Sequence, residues 1–356
     1  MKSRLLALLL VMVVMLGAAV TVSAQGMDPC LGLSASDCQI LSDADAKVGE
    51  LTNFTQSFKF SLDIGGLAML APGMNAINIS ANASNSPFVI DVAKATADDP
   101  TAALAMAMDL NGSISGTGEG DSAGSFSFVI VDGVFYMKNP ENGQWMGIKL
   151  AELVEAAGSQ GLPFDPQALL EGDTSGMEAI GDPTEALSAL GLGDIDLMAL
   201  INTPGFLGQQ RVADASANGQ AQYAFESSID FGALFKSPDF QKLVNNALQA
   251  AAEQDPEAAQ MAMLLPMFLQ SSEASVKLTR WIGQSDLFLH RLVLEINANV
   301  DLNVLAGGAS SGGAQMEPIT LNMVLDVQLS QHNATAAPAA PAGAEMVPTE
   351  ALMSGM

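Results

Sequence analysis

From Leu292 the even positions read Leu294, Ile296, Ala298, Val300, Leu302 and Val304. The odd positions read Glu295, Asn297, Asn299, Asp301 and Asn303. Alternation with a period of two marks a strand with one dry face and one wet face. At about 3.4 Å per residue this run spans roughly 44 Å, longer than an ordinary strand. A Gly-Ser-rich turn from Gly307 to Gly313 follows. A second strand then places Ile319, Leu321, Met323, Leu325, Val327 and Leu329 on one side and Thr320, Asn322, Asp326 and Gln328 on the other. The two make an antiparallel hairpin.

The pattern recurs upstream. Phe54, Phe58, Phe60, Leu62 and Ile64 alternate with Thr55, Ser57, Lys59, Ser61 and Asp63, and Leu104, Met106, Met108 and Leu110 with Ala105, Ala107, Asp109 and Asn111. Shorter strands are expected at Ile77 to Ala81, Phe88 to Val92, Phe126 to Val131, Val134 to Lys138, Gln210 to Ala217, Gln220 to Ile229 and Val276 to Ile282. Around ten strands, mostly in hairpin order, predict one large antiparallel sheet.

Helices are expected in blocks at about 149–207 and 230–270. Four begin with a capping residue followed by proline: Asp165-Pro166, Asp182-Pro183, Ser237-Pro238 and Asp255-Pro256. After Ser237, Phe240, Leu243, Val244, Ala247, Leu248 and Ala251 form an amphipathic stripe, and Met261, Leu265 and Phe268 belong to a second. The fold class is therefore α+β, with helices available to cover the sheet's dry face.

Composition changes the picture at both ends. Lys2 and Arg4, an apolar run from Leu5 to Val20 and then Val22-Ser23-Ala24 read as a signal peptide over 1–24. An uncleaved anchor is the alternative, since the run is nearly long enough to span a bilayer. Over 25–42, Cys30 and Cys38 are expected to form one disulfide closing a short loop in an exported protein. Met27, Asp28 and Pro29 precede Cys30, so there is no lipobox and no lipid anchor is expected there. Residues 43–332 read as one body. Ala and Pro dominate from Asn333 onward, and 333–356 is expected to be a disordered tail.

Charge narrows the partners. The chain has 356 residues and a formal charge of −26, from 39 acids and 13 bases. Removing Lys2 and Arg4 leaves 11 bases against 39 acids, or −28. Such a surface does not suit nucleic acid or an anionic membrane; a basic partner protein, or simple colloidal solubility, fits better. A monomer is expected.

Most catalytic chemistry lacks raw material. The chain has two histidines and two cysteines, and no HExxH, CxxC, Walker or GxSxG motif. Gly116, Gly118 and Gly120 read as a hairpin turn, because a Phe-rich strand follows them. His290 reads as structural, and His332 borders the tail. Asp301 and Asp326 are expected to face solvent. No catalytic residue, metal ligand or cofactor is assigned.

Two segments carry a resemblance. Phe128-Val-Ile-Val-Asp-Gly-Val-Phe-Tyr-Met-Lys138 with Asn142-Gly-Gln-Trp-Met-Gly147 resembles the hairpin of exported lipoprotein-carrier-like domains. Leu278-Thr-Arg-Trp-Ile-Gly-Gln-Ser-Asp286, leading to Leu289-His-Arg-Leu-Val-Leu-Glu295, resembles their "W-I-G-x-x-D … R" hairpin. Both look like the LppX/LprAFG and LolA/LolB superfamily. The resemblance implies a strongly curved half-barrel whose helices plug the concave face around a lipid cavity. Asp132-Gly133 is equally an ordinary type I′ turn, and Trp145 and Trp281 equally sheet-packing aromatics.

The expected function is that of an exported, non-enzymatic binding protein holding a lipid or a lipoprotein acyl chain, in the periplasm or at or beyond the cell surface. The apolar lining would come from Phe58, Phe60, Leu62, Met106, Met108, Phe128, Phe225, Leu294, Ile296, Met323 and Leu325 of the sheet and Met261, Leu265 and Phe268 of a helix. The alternative is a structural or adhesive surface protein in which the same residues form a filled core.

Overall fold

The computed structural model describes residues 30, 32–69, 75–96, 99–116, 120–140, 142–152, 203–217, 219–238, 240–242, 244, 272–301 and 317–348. The signal-peptide reading lies outside them. So do three of the four proline-marked helix starts, and Met261, Leu265, Phe268, Leu302 and Val304.

The chain enters through helix α1 (Ala35–Val48). The Ser34 hydroxyl accepts the Asp37 amide at 3.2 Å and donates to the Asp37 carboxylate at 2.7 Å, closing the first turn. Cys30 and Cys38 form the expected disulfide, with Cα atoms 5.1 Å apart. It clips the entering turn to the helix. The helix crosses the boundary expected between residues 42 and 43, so this segment is part of the body.

Twelve strands are described: β1 (Asn53–Gly65), β2 (Ala76–Ile90), β3 (Leu104–Ser115), β4 (Ser122–Val131), β5 (Val134–Lys138), β6 (Trp145–Lys149), β7 (Leu207–Ala217), β8 (Gln220–Asp230), β9 (Ser272–Gly283), β10 (Leu289–Val300), β11 (Ile319–Ser330) and β12 (Glu345–Met346). They form one sheet in the order β12-β6-β5-β4-β3-β2-β1-β11-β10-β9-β8-β7. Two meanders, β1 to β6 and β7 to β11, are joined where β1 pairs β11 from Thr55–Ser330 to Gly65–Thr320. Every pairing is antiparallel except β12 with β6. The result is the expected open, curled α+β half-barrel.

Register breaks at Gln56/Phe58, Ala83/Phe88, Val212/Ala215 and Leu289/Arg291 supply curvature, because a bulge bends and twists its strand. The second break corrects one expectation. Ile77 to Ala81 and Phe88 to Val92 are not separate strands but the two halves of β2. Asn85 between them has φ 52°, and its amide donates to the Ser57 hydroxyl at 3.0 Å. The Asp132-Gly133 turn has φ of 52° and 71°, as a type I′ turn requires. Helix α2 (Phe231–Lys236) follows β8. At the next start the Phe240 amide donates to the Ser237 hydroxyl at 3.2 Å, as the capping pattern predicts.

The tail is the second correction. Its described part, 333–348, is tied down rather than disordered. Asn333 accepts the Thr52 amide at 2.9 Å and donates to the Glu50 carbonyl at 3.1 Å. The Thr335 amide donates to the Asn53 side chain at 2.7 Å. Glu345 and Met346 then pair with Met146 and Gly147 of β6, covering that edge. Side-chain hydrogen bonds and edge pairing hold a sequence that has little apolar surface of its own to bury.

Candidate functional site

The dry face of the sheet is the candidate site, and its register builds it. Phe58 and Phe60 of β1, Ala81 and Ala83 of β2, Met106, Met108 and Leu110 of β3, Phe128 and Ile130 of β4, Phe135 of β5, and Val327 and Leu329 of β11 form one buried cluster. Phe54 and Phe88 stack at 4.9 Å, and Phe128 lies 5.7 Å from Phe135. This end of the face is closed.

Burial then grades along the strands. Phe58 is 6% exposed, but two positions beyond Phe60 the face opens. One row of register partners runs Ile114, Ile79, Leu62, Met323, Ile296, Val276 and Ile229 across β3, β2, β1, β11, β10, β9 and β8. All seven are apolar and all are half-buried. At about 4.8 Å between strands the row is roughly 29 Å long. Chemically it offers an apolar contact strip without titratable groups.

The structure thus brings together eight of the lining residues expected from sequence. Phe58, Phe60, Met106, Met108 and Phe128 are buried, while Leu62, Met323 and Leu325 are half-buried against the same cluster. Leu294 and Ile296 are half-buried beside Leu325 and Met323. Phe225 is elsewhere. It is 1% exposed and packs with Ile282 beneath Leu41 and Ala44 of α1.

That second cluster shows how a helix covers the dry face. Two ion pairs flank α1: Arg280 to Asp45 at 3.3 Å and Arg211 to Asp37 at 2.9 Å. Arg211 also lies over the Tyr223 ring, 4.8 Å from its centre. Sequence reading missed this helix, although Ser34 and the Leu41/Ala44 spacing signal it. A separate cleft of about 540 Å³ opens by α2, lined by Ala274 and Ala298 as well as by Lys236, Glu273, Asn297, Asn299 and Asn322. It is unlike the apolar strip.

On the wet side, Asp326 does not simply face solvent. It accepts Nε and NH2 of Arg291, each at 2.9 Å, and thereby raises the guanidinium's already high pKa. His332 is not at the edge of a disordered segment. Its Nε2 lies 2.9 Å from the Leu289 carbonyl, and its ring centre lies 4.6 Å from that of His290. Sequence reading missed this pairing, because 42 residues separate the two rings along the chain.

No family model matches the sequence, and no curated protein matches it. Among solved structures, LprF from Mycobacterium bovis is 14% identical over 87% of this chain and 99% of that chain, with a TM-score of 0.34. The lipoprotein LppX from Mycobacterium tuberculosis is 12% identical over 87% of this chain and 98% of that chain, with a TM-score of 0.29. A LolA-superfamily protein from Nitrosomonas europaea is 10% identical over 84% and 94%, with a TM-score of 0.15.

Proposed function

We propose that the chain is an exported, non-enzymatic binding protein that holds a lipid or acyl chain against the dry face of its sheet. The supporting observation is the seven-strand apolar row at Leu62, Met323 and Ile296, which the protein leaves half-covered beside a closed core. Burial supplies the binding energy, about 0.8 kcal/mol for each CH₂ withdrawn from water. Specific polar contacts are unnecessary for such a ligand. The Cys30–Cys38 disulfide supports an oxidising, extracytoplasmic location, and it occupies the thiol that a lipid anchor at Cys30 would need. The acidic surface suits a monomer that meets a basic partner.

The test is titration with a fluorescent fatty-acid analogue. Met323→Asp and Ile296→Asp place a carboxylate on the strip and should each weaken binding at least about tenfold. Lys59→Asp, on the wet face of β1, should not. Equal binding by all three variants and the parent would contradict the proposal.

A further inference from the structure

Away from the apolar strip, the chain's only two histidines converge on one acid. Asp286 lies in the turn between β9 and β10, His290 at the start of β10, and His332 just beyond β11. One ligand atom from each of the three lies within 4.8 Å of the others. We propose that Asp286, His290 and His332 bind a divalent d-block cation of the Zn²⁺ class.

The donor set fits that cation. Imidazole nitrogen with one carboxylate favours Zn²⁺ and its neighbours over Mg²⁺ or Ca²⁺, which prefer all-oxygen shells. His290 Nε2 lies 3.2 and 3.0 Å from the two Asp286 oxygens. Ligands at about 2.0–2.1 Å from a tetrahedral Zn²⁺ stand about 3.3 Å apart, so this edge already has the right length. Because no two of these atoms are more than 4.8 Å apart, reaching that spacing needs a movement of at most about 1.5 Å.

The surroundings are built to orient the ligands. His332 Nε2 donates to the Leu289 carbonyl at 2.9 Å, which puts the lone pair of the neutral ring on Nδ1. A carbonyl partner on the second ring nitrogen is how metal-binding histidines are fixed. The Phe288 ring stacks on His332 at 4.9 Å and 14°. Asp286 accepts the Phe288 amide at 3.1 Å and the Gln220 amide at 2.9 Å. Gly283 forms the floor: a Cβ there would collide with the Asp286 carboxylate and come within 2.7 Å of His290 Nε2. Electrostatics agree with this geometry. Burial pushes Asp286 up, but the Phe288 amide, His290 and Gln220 outweigh it and keep the carboxyl below its ordinary value.

Three protein ligands leave a fourth position for water. Bound metal would join the β9–β10 turn to the end of β11. The adjoining residues Asn333 and Thr335 are held to Glu50 and Asn53, so the metal would fasten the C-terminal segment. The test is calorimetric titration of Zn²⁺ into the purified full-length protein with Mg²⁺ in excess, and Co²⁺ absorption as a second probe. One saturable Zn²⁺ per chain is expected, with visible Co²⁺ bands. His290→Ala and His332→Ala should abolish both signals. Gln220→Ala should weaken Zn²⁺ about 10- to 100-fold. Asp286→Asn keeps the side-chain shape, so it decides the matter if a histidine variant fails to fold. Absence of saturable Zn²⁺ binding, or unchanged affinity in Asp286→Asn, would overturn the site.

Discussion

The guanidinium carbon of Arg291 lies 4.7 Å from the centre of the Trp281 ring. The two are register partners on β10 and β9, and the same guanidinium grips Asp326 of β11 through two donors. One side chain therefore ties three strands together. Lysine can supply neither the planar stack nor the paired donors. Arg291→Lys should cost about 1–2 kcal/mol, measured as a lowered urea midpoint with an unchanged slope. Wild-type stability in that variant would show that the stack is ornamental.

The burial gradient along the dry face separates stability from binding. Phe128→Ala, at the closed end, should destabilise by about 3–5 kcal/mol. Met323→Ala, on the half-covered row, should cost about 1 kcal/mol yet weaken binding of an apolar probe. Thermal melting and probe titration of both variants distinguish the two ends.

The disulfide fixes the approach to α1. Closing a loop of this length is worth about 2–3 kcal/mol in the chain-entropy picture. Cys30→Ser with Cys38→Ser should therefore loosen α1 from Phe225 and Ile282. Faster amide exchange around Leu41, with the β1–β3 core unchanged, is the expected readout.

Acid should act on the same helix. The Ser34 hydroxyl first, opposed by burial and then helped by Arg211, holds the Asp37 carboxyl below its ordinary value of 3.8. A depressed carboxyl stabilises the fold above that value and loses its contribution as pH falls through the folded-state pKa. Once intrinsic exchange rates are allowed for, protection of α1 amides should fall below about pH 3.8. Asp37→Asn should remove that dependence.

The sheet was legible because alternation is local. Val134–Lys138 and Ile319–Leu329 can be read directly from their side chains. The continuity of β2 is not legible, since Asn82 to Ser86 breaks the apolar pattern where Asn85 takes a left-handed turn against Ser57. β12 has no strand pattern at all; it exists because β6 offers an unpaired edge. The seven-strand row is a matter of register, and a single strand's sequence does not say which partner residue stands beside Leu62. The Asp286–His290–His332 cluster is less legible still. It requires the path of β11 to return His332 beside the β9–β10 turn.

The most direct test of lipid holding is mass spectrometry of the native protein, purified without detergent and extracted with organic solvent. A stoichiometric lipid or acyl species, lost in Met323→Asp, is expected. A lipid-free protein that also fails to take up an apolar dye would contradict it, and would leave the dry face as core alone.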